Sequence, residues 1–248
     1  MSRAFKQIIE SYRLTFIFII SALPLVCLPI FFEGLQHIVE VKLGMFTASD
    51  LESFGDEAQK KRLFFGIFKV LSIVAMGIFL PRFFIHDRNL KQALQFSPKA
   101  ARAVIIGFLC MVFVVLWMFI LGPWVIGMVM EDASVKQKAL LPLLALLVIG
   151  FPLQNHYNRW MAAVFDDTPI SKQENKNLNK AMMGGMPVII VVIVPFMVIH
   201  YLLNMKAMDQ ALPTLLGLLT LDSLVVGLLA ALMGATLYVI YRDARLKN

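Results

Sequence analysis

Apolar residues in this chain come in long blocks separated by short charged stretches. Crossing about 30 Å of hydrocarbon takes roughly 20 residues of helix. Six runs meet that length: 14–32, 63–85, 103–130, 139–157, 181–203 and 211–241. The third carries no charge, the second is interrupted by Lys69 and ended by Pro81-Arg82, and the sixth encloses Asp222. The fourth is purely apolar only to Leu153, after which Gln154-Asn155-His156-Tyr157-Asn158-Arg159 mark an interface. Five spans are the alternative, should the fourth only dip into the bilayer. The pattern predicts an all-α, polytopic membrane fold, a single transmembrane domain over 1–248. The longest extramembrane segment is about 30 residues, too short for an independent core.

The polar stretches have a pattern of their own. Over residues 3–13, Ala4, Phe5, Ile8, Ile9 and Tyr12 fall at helical spacing, with Arg3, Lys6, Glu10 and Arg13 on the other face. That predicts a short helix lying in the headgroup layer. Three segments open alike, at Lys6-Gln7, Lys91-Gln92 and Lys172-Gln173, and their return spans end near Arg82, Arg159 and Arg242. The chain therefore reads as three helical hairpins of about 80 residues each, although Lys136-Gln137 falls off the pattern.

Composition agrees with this reading. Apolar residues make up 59% of the chain and charged residues 16%, against roughly 25% charged in soluble domains. Mean hydropathy is +0.77. A soluble globule and a disordered chain are both excluded. The net charge of +7 and pI near 9.5 gain their meaning from where the cations lie. Fifteen Lys and Arg fall in the N-terminal segment, 81–102, 154–180 and 242–248, and seven in 33–62, 131–138 and 204–210. The richer side is cytoplasmic, so both termini are cytoplasmic and the expected location is the bacterial inner membrane. Trp160, Tyr157, Tyr238 and Tyr241 fall near the inner interface and Trp124 near the outer, as aromatic belts do. A basic patch of the kind that binds nucleic acid is missing.

The first apolar run reads as an uncleaved span. It is 19 residues long and runs into Phe31-Phe32-Glu33-Gly34 without a small-residue cleavage site. Cys27 and Cys110 read as small buried apolar side chains, too far apart in this topology to bridge.

The segments Pro81-Arg82-Phe83-Phe84-Ile85-His86-Asp87-Arg88, 158–167 and Tyr238-Val239-Ile240-Tyr241-Arg242-Asp243 close each hairpin in a similar way. In this layout the chain resembles bacterial six-helix inner-membrane proteins of the glycerophosphodiester-phosphodiesterase membrane-domain type, without the catalytic domain. The resemblance implies a membrane location and carries over no catalytic residue.

Charged groups inside a span usually pair or face a cavity. Lys69 and Asp222 are placed at matching depth, which suggests an intramembrane salt bridge. The alternatives are a snorkelling Lys69 with a solvated Asp222, or an ion relay. Glu33, His37 and Glu40 share one helix face, a set that can bind a metal such as zinc. The same spacing describes an outer interfacial helix whose apolar side is Leu35, Ile38, Val39, Leu43 and Phe46. Arg82, Arg159 and Arg242 suit anionic lipid headgroups, and positive-inside anchoring explains them equally. His200 reads as a packing or interface group, and the four scattered histidines do not suggest haem.

No strong catalytic or cofactor motif is present, and no cofactor is expected. The sequence reading is a non-enzymatic membrane protein that binds lipid or protein partners, a second copy included, in an assembly or envelope-homeostasis role. The alternatives are a small-solute or lipid transporter subunit using Lys69 and Asp222, and a membrane-embedded metal-dependent hydrolase using Glu33, His37 and Glu40.

Overall fold

A computed structural model describes residues 2–47, 56–117, 121–130, 141, 145 and 156–245. Every regular element among them is a helix: α1 (Arg3–Ser21), α2 (Leu23–Lys42), α3 (Asp56–Ile85), α4 (Leu90–Leu94), α5 (Pro98–Leu116), α6 (Gly122–Val129), α7 (156–165), α8 (Lys172–Ala207) and α9 (Leu212–Arg245). Among the described residues, four stretches are long and apolar enough to cross a membrane: Leu23–Lys42, Lys60–Ile85, Lys172–Ala207 and Leu212–Arg245. These mark a membrane protein. Most of the run expected to form the fourth span, 139–157, lies outside the described residues.

The run 14–32 is not one helix. It breaks at Ala22, whose φ of −137° and ψ of 38° leave the helical region. Pro24, in the first turn of α2, explains the break, because it has no N–H to give the Ile20 carbonyl and its ring clashes with that group in a continuous helix. The segment 3–13 is not separate either, since α1 runs unbroken from Arg3 to Ser21. The expected interfacial helix over 33–40 is instead the second half of α2, and it is turned inside out. Glu33, Gln36, His37 and Glu40 are buried, while Phe31 and Ile38 are at least half exposed. α1 shows the same inversion, with Gln7, Ser11 and Thr15 buried and Phe16 and Ile20 exposed. Acyl chains cover apolar side chains at no cost but cannot hydrogen-bond polar ones, so polar groups turn inward to find partners.

Chain contacts divide the protein into two compact units, Met1–Leu94 with Ala181–Lys247, and Gln95–Lys180. In the first, α9 is the central helix and packs on α1, α2 and α3. Its stripe of Gly227, Ala230, Ala231, Gly234 and Ala235 faces Val26 of α2 and Met76 and Leu80 of α3. A Cβ at Gly234 would stand 2.8 Å from the backbone oxygen of Met76, and one at Gly227 would stand 2.3 Å from the Ile30 side chain. Small residues let helix backbones approach this closely, and van der Waals packing then holds helices together in lipid. α8 meets α9 through Val188 and Val192 against Leu232, and Gly185 lies under Ile240. At one end of the unit the Asp209 N–H donates to the Phe46 carbonyl at 2.8 Å, tying the α8–α9 turn to the turn after α2. Asp209 has a φ of 55°, a left-handed conformation that Asp tolerates.

In the second unit α5 and α7 are joined by the Trp160 indole N–H, which donates to the Ala103 carbonyl at 2.6 Å. Gly107 leaves room for that ring, since a Cβ there would stand 2.7 Å from it. Asn158 donates to Asn175 and Asn179 at the start of α8.

Cys27 and Cys110 are free, as expected, but both are exposed rather than buried. They sit among exposed apolar side chains such as Leu28, Phe108 and Leu109. Tyr241 is buried against the protein, whereas Trp124 is 62% exposed.

Candidate functional site

Charged and polar side chains of four helices converge in the first unit. α2 supplies Glu33, Gln36, His37 and Glu40, α3 supplies Arg62 and Lys69, α8 supplies His200 and Asn204, and α9 supplies Asp222. Those of α2, α3 and α8 line a cavity of about 580 Å³ with Met45, Phe46, Tyr201, Met205 and Met208 on its apolar side, and Asp222 lies behind them, fully buried. Arg62 and His200, with 45% and 30% of their side chains exposed, mark where it reaches the surface. The cavity lies toward the end where α2 and α8 stop and α3 and α9 begin.

Helical geometry brings these groups together. Residues 33, 37 and 40 lie one above another on the buried face of α2. α2 passes close to α9 here, since a Cβ on Gly34 would lie 3.8 Å from Ser223 Oγ. That crossing sets His37 against Asp222. His200 and Asn204 are one turn apart on α8, and only residues 208–211 separate α8 from α9. The hairpin therefore folds them back onto Asp222.

His37 is the hub. Its Nδ1 lies 2.9 Å from Glu40 Oε2, and its Nε2 lies 2.9 Å from Asp222 Oδ2 and 3.3 Å from Glu33 Oε1. Glu40 Oε1 accepts from Gln36 Nε2 and from Arg62 Nε, each at 2.8 Å. Lys69 Nζ is 3.0 Å from the other Glu33 oxygen. Asp222 Oδ1 lies 2.7 Å from His200 Nδ1, and its Oδ2 accepts from Asn204 Nδ2 at 2.8 Å. Glu33, Glu40 and Asp222 are at most 3% exposed.

Acceptors outnumber donors in this cluster. Ionised carboxylates only accept, and a neutral imidazole has one donor and one acceptor nitrogen. Both nitrogens of His37 face carboxylates, and Gln36 Oε1 is buried with no hydrogen-bond partner. Three carboxylates stand against two permanent cations, Arg62 and Lys69. Unmatched charge is costly in a medium of low dielectric constant, so the cluster calls for a third positive charge, which a proton shared by His37 or a bound cation would supply. Ligand atoms of Glu33, His200 and Asp222 lie within 4.8 Å of one another, close enough to share one metal ion.

The expected pairing of Lys69 with Asp222 is not what forms. Lys69 extends from α3 to Glu33 on α2, and Asp222 is engaged by His37, His200 and Asn204. The expected Glu33, His37 and Glu40 do come together. Glu40, however, lies on the far nitrogen of His37 from Glu33 and is held by Gln36 and Arg62. His200, read from the sequence as a packing group, belongs to the cluster.

The arginines divide. Arg82 is fully buried, and its Nε donates to the Ala93 carbonyl at 2.9 Å. It fastens the α3–α4 turn and is not available to lipid headgroups. Arg159 is exposed on α7. Arg242, about 30 Å along α9 from Asp222 at 1.5 Å per residue, pairs with Glu10 at 3.1 Å and lies 5.7 Å from the centre of the Tyr238 ring. Burial pushes the Glu10 carboxyl up, but hydrogen bonds and charge from Arg13 and Arg242 outweigh it. Glu10 is thus held below the ordinary carboxylate range.

No protein-family model, curated protein or solved structure matches the chain. The carboxylate–histidine cavity is therefore what bears on function.

Proposed function

We propose that this is a multi-pass protein of the bacterial inner membrane, with six spans in three hairpins and both termini cytoplasmic, that admits small cations to the cavity between α2, α3, α8 and α9 and passes them across the bilayer. One observation carries the reading: buried carboxylates and imidazoles with an excess of acceptors line a cavity among membrane-length helices. Ionisable groups at that depth are expensive and usually mark an ion or substrate path. In this topology the cavity mouth, beside residues 43–47 and the α8–α9 turn, faces the outer side, a reading that the distribution of Lys and Arg supports. The apolar side chains exposed along α1, α5 and α8 are those that acyl chains cover, so lipid accounts for them before any protein partner does.

The test is flux in liposomes containing the purified protein. Imposed gradients of H⁺, Na⁺, K⁺, Mg²⁺ and Zn²⁺ are each read with an entrapped indicator. At least one ion should move faster than in protein-free liposomes, and Asp222→Asn, still monodisperse in detergent, should abolish that movement. Fluxes equal to those of protein-free liposomes for all five ions would remove the reading.

A further inference from the structure

We infer that the ion the cavity takes is a divalent transition metal of the zinc class, held by Glu33, His37, His200 and Asp222. This deepens the cation reading above and rests on it. A tetrahedral zinc site with bonds of about 2.0–2.1 Å has ligand atoms about 3.3 Å apart. The facing atoms here are His37 Nε2 to Glu33 Oε1 at 3.3 Å, His37 Nε2 to Asp222 Oδ2 at 2.9 Å and His200 Nδ1 to Asp222 Oδ1 at 2.7 Å. The Asp222 carboxylate stands between the two imidazoles, with Oδ2 toward His37 and Oδ1 toward His200. Glu33, His200 and Asp222 already satisfy the spacing for a shared ion, and His37 Nε2 touches two of the three.

The surroundings fit a metal better than a structural network needs. A metal-bound imidazole usually gives its second N–H to a carboxylate, which fixes the tautomer and the ring. His37 meets that condition, because Nδ1 faces Glu40, and Glu40 is itself held by Gln36 and Arg62. Asn204 donates to Asp222, and Lys69 sits on the Glu33 oxygen that turns away from His37. Each proposed carboxylate ligand thus has a second-layer partner, and each ligand approaches from a rigid helix. Two imidazoles with two carboxylates suit Zn²⁺ and its first-row neighbours. Mg²⁺ and Ca²⁺ favour all-oxygen sets and thiolates favour softer ions. The partly exposed edge of His200 gives the ion its way in.

The experiment measures binding in detergent, with no gradient, so it does not depend on transport. Chelator-stripped full-length protein is titrated with Zn²⁺ and the bound metal counted by elemental analysis. Co²⁺ loading is followed by visible absorption. The expected result is a single Zn²⁺ per chain and a tetrahedral Co²⁺ spectrum. Glu40→Gln should weaken binding by about 10–100-fold at unchanged stoichiometry, as losing a partner behind a ligand does. His200→Ala should weaken it at least as much, and it removes a side chain exposed enough for the fold to survive. Absence of stoichiometric Zn²⁺, or affinity unchanged in both His200→Ala and Asp222→Asn, would overturn the assignment. Flux of another cation without zinc binding would retain the transport reading and end this one. Bound zinc without flux would do the reverse.

Discussion

Lys69 Nζ on α3 lies 3.0 Å from Glu33 Oε2 on α2, and Glu33 is 1% exposed. Removing one member of a buried pair leaves the other charged and unmatched, at a cost of roughly 3–5 kcal/mol. Lys69→Met should therefore lower the melting temperature in detergent clearly. Glu33→Gln in the same chain should restore much of the loss, because neither charge then remains. A double mutant as unstable as the sum of the two singles would show that the pair does not matter.

The helix crossings make a sharper prediction. Gly234→Ala places a methyl 2.8 Å from the Met76 carbonyl oxygen, which is backbone and cannot step aside. Overpacking of that kind typically costs about 1–3 kcal/mol. Gly184→Ala meets nothing within 4 Å and gains up to about 1 kcal/mol of helix propensity. Two identical substitutions should thus shift the thermal midpoint in opposite directions.

Glu10 makes stability depend on pH. Its carboxyl is held low by Arg13 and Arg242, so the folded state binds its proton less readily than the unfolded chain does. The contribution is full above the unfolded carboxylate range and disappears as pH falls through the folded value. The groups are partly exposed, which limits the effect to about 0.2–1 kcal/mol. Thermal midpoints of wild type and Glu10→Gln, compared from neutral to acid pH, should converge at the acid end. A constant gap would count against the network.

Cys27 and Cys110 offer a check on what covers the outer faces. Both are free and exposed on apolar helix sides. In intact membranes they should resist a charged maleimide and react once the protein is unfolded in detergent. Fast labelling by the charged reagent in membranes would place water, not lipid, against α2 and α5.

Much of the fold was legible before the structure. The second and fifth apolar runs lie within α3 and α8, and the sixth matches α9 from Leu212 on, because apolar stretches of that length have few alternatives to a helix. The break at Ala22 was not read, although Pro24 signalled it. The greater miss concerned 33–40, where an amphipathic pattern says which residues share a face but not which face is wet. In water the polar side looks outward, and in lipid it looks inward. His200 was missed because its partner is a residue of another helix. The clue was the short α8–α9 connection, which folds residue 200 back toward residue 222. Lys69 was matched with Asp222 by depth alone, and depth cannot tell on which side of a helix a partner stands.

The inversion of α2 has a consequence for how the protein is made. Glu33, His37 and Glu40 leave the ribosome about 185 residues before Asp222 does, and before Lys69 and His200 as well. A charged residue at the middle of an isolated helix disfavours insertion by about 2.5–3.5 kcal/mol, so α2 is a poor solitary occupant of the bilayer. Its polar face finds all its partners only once α3, α8 and α9 are in place. A chain cut short before α9 would lack Asp222 and the central packing helix, leaving the buried polar face of α2 without its partner.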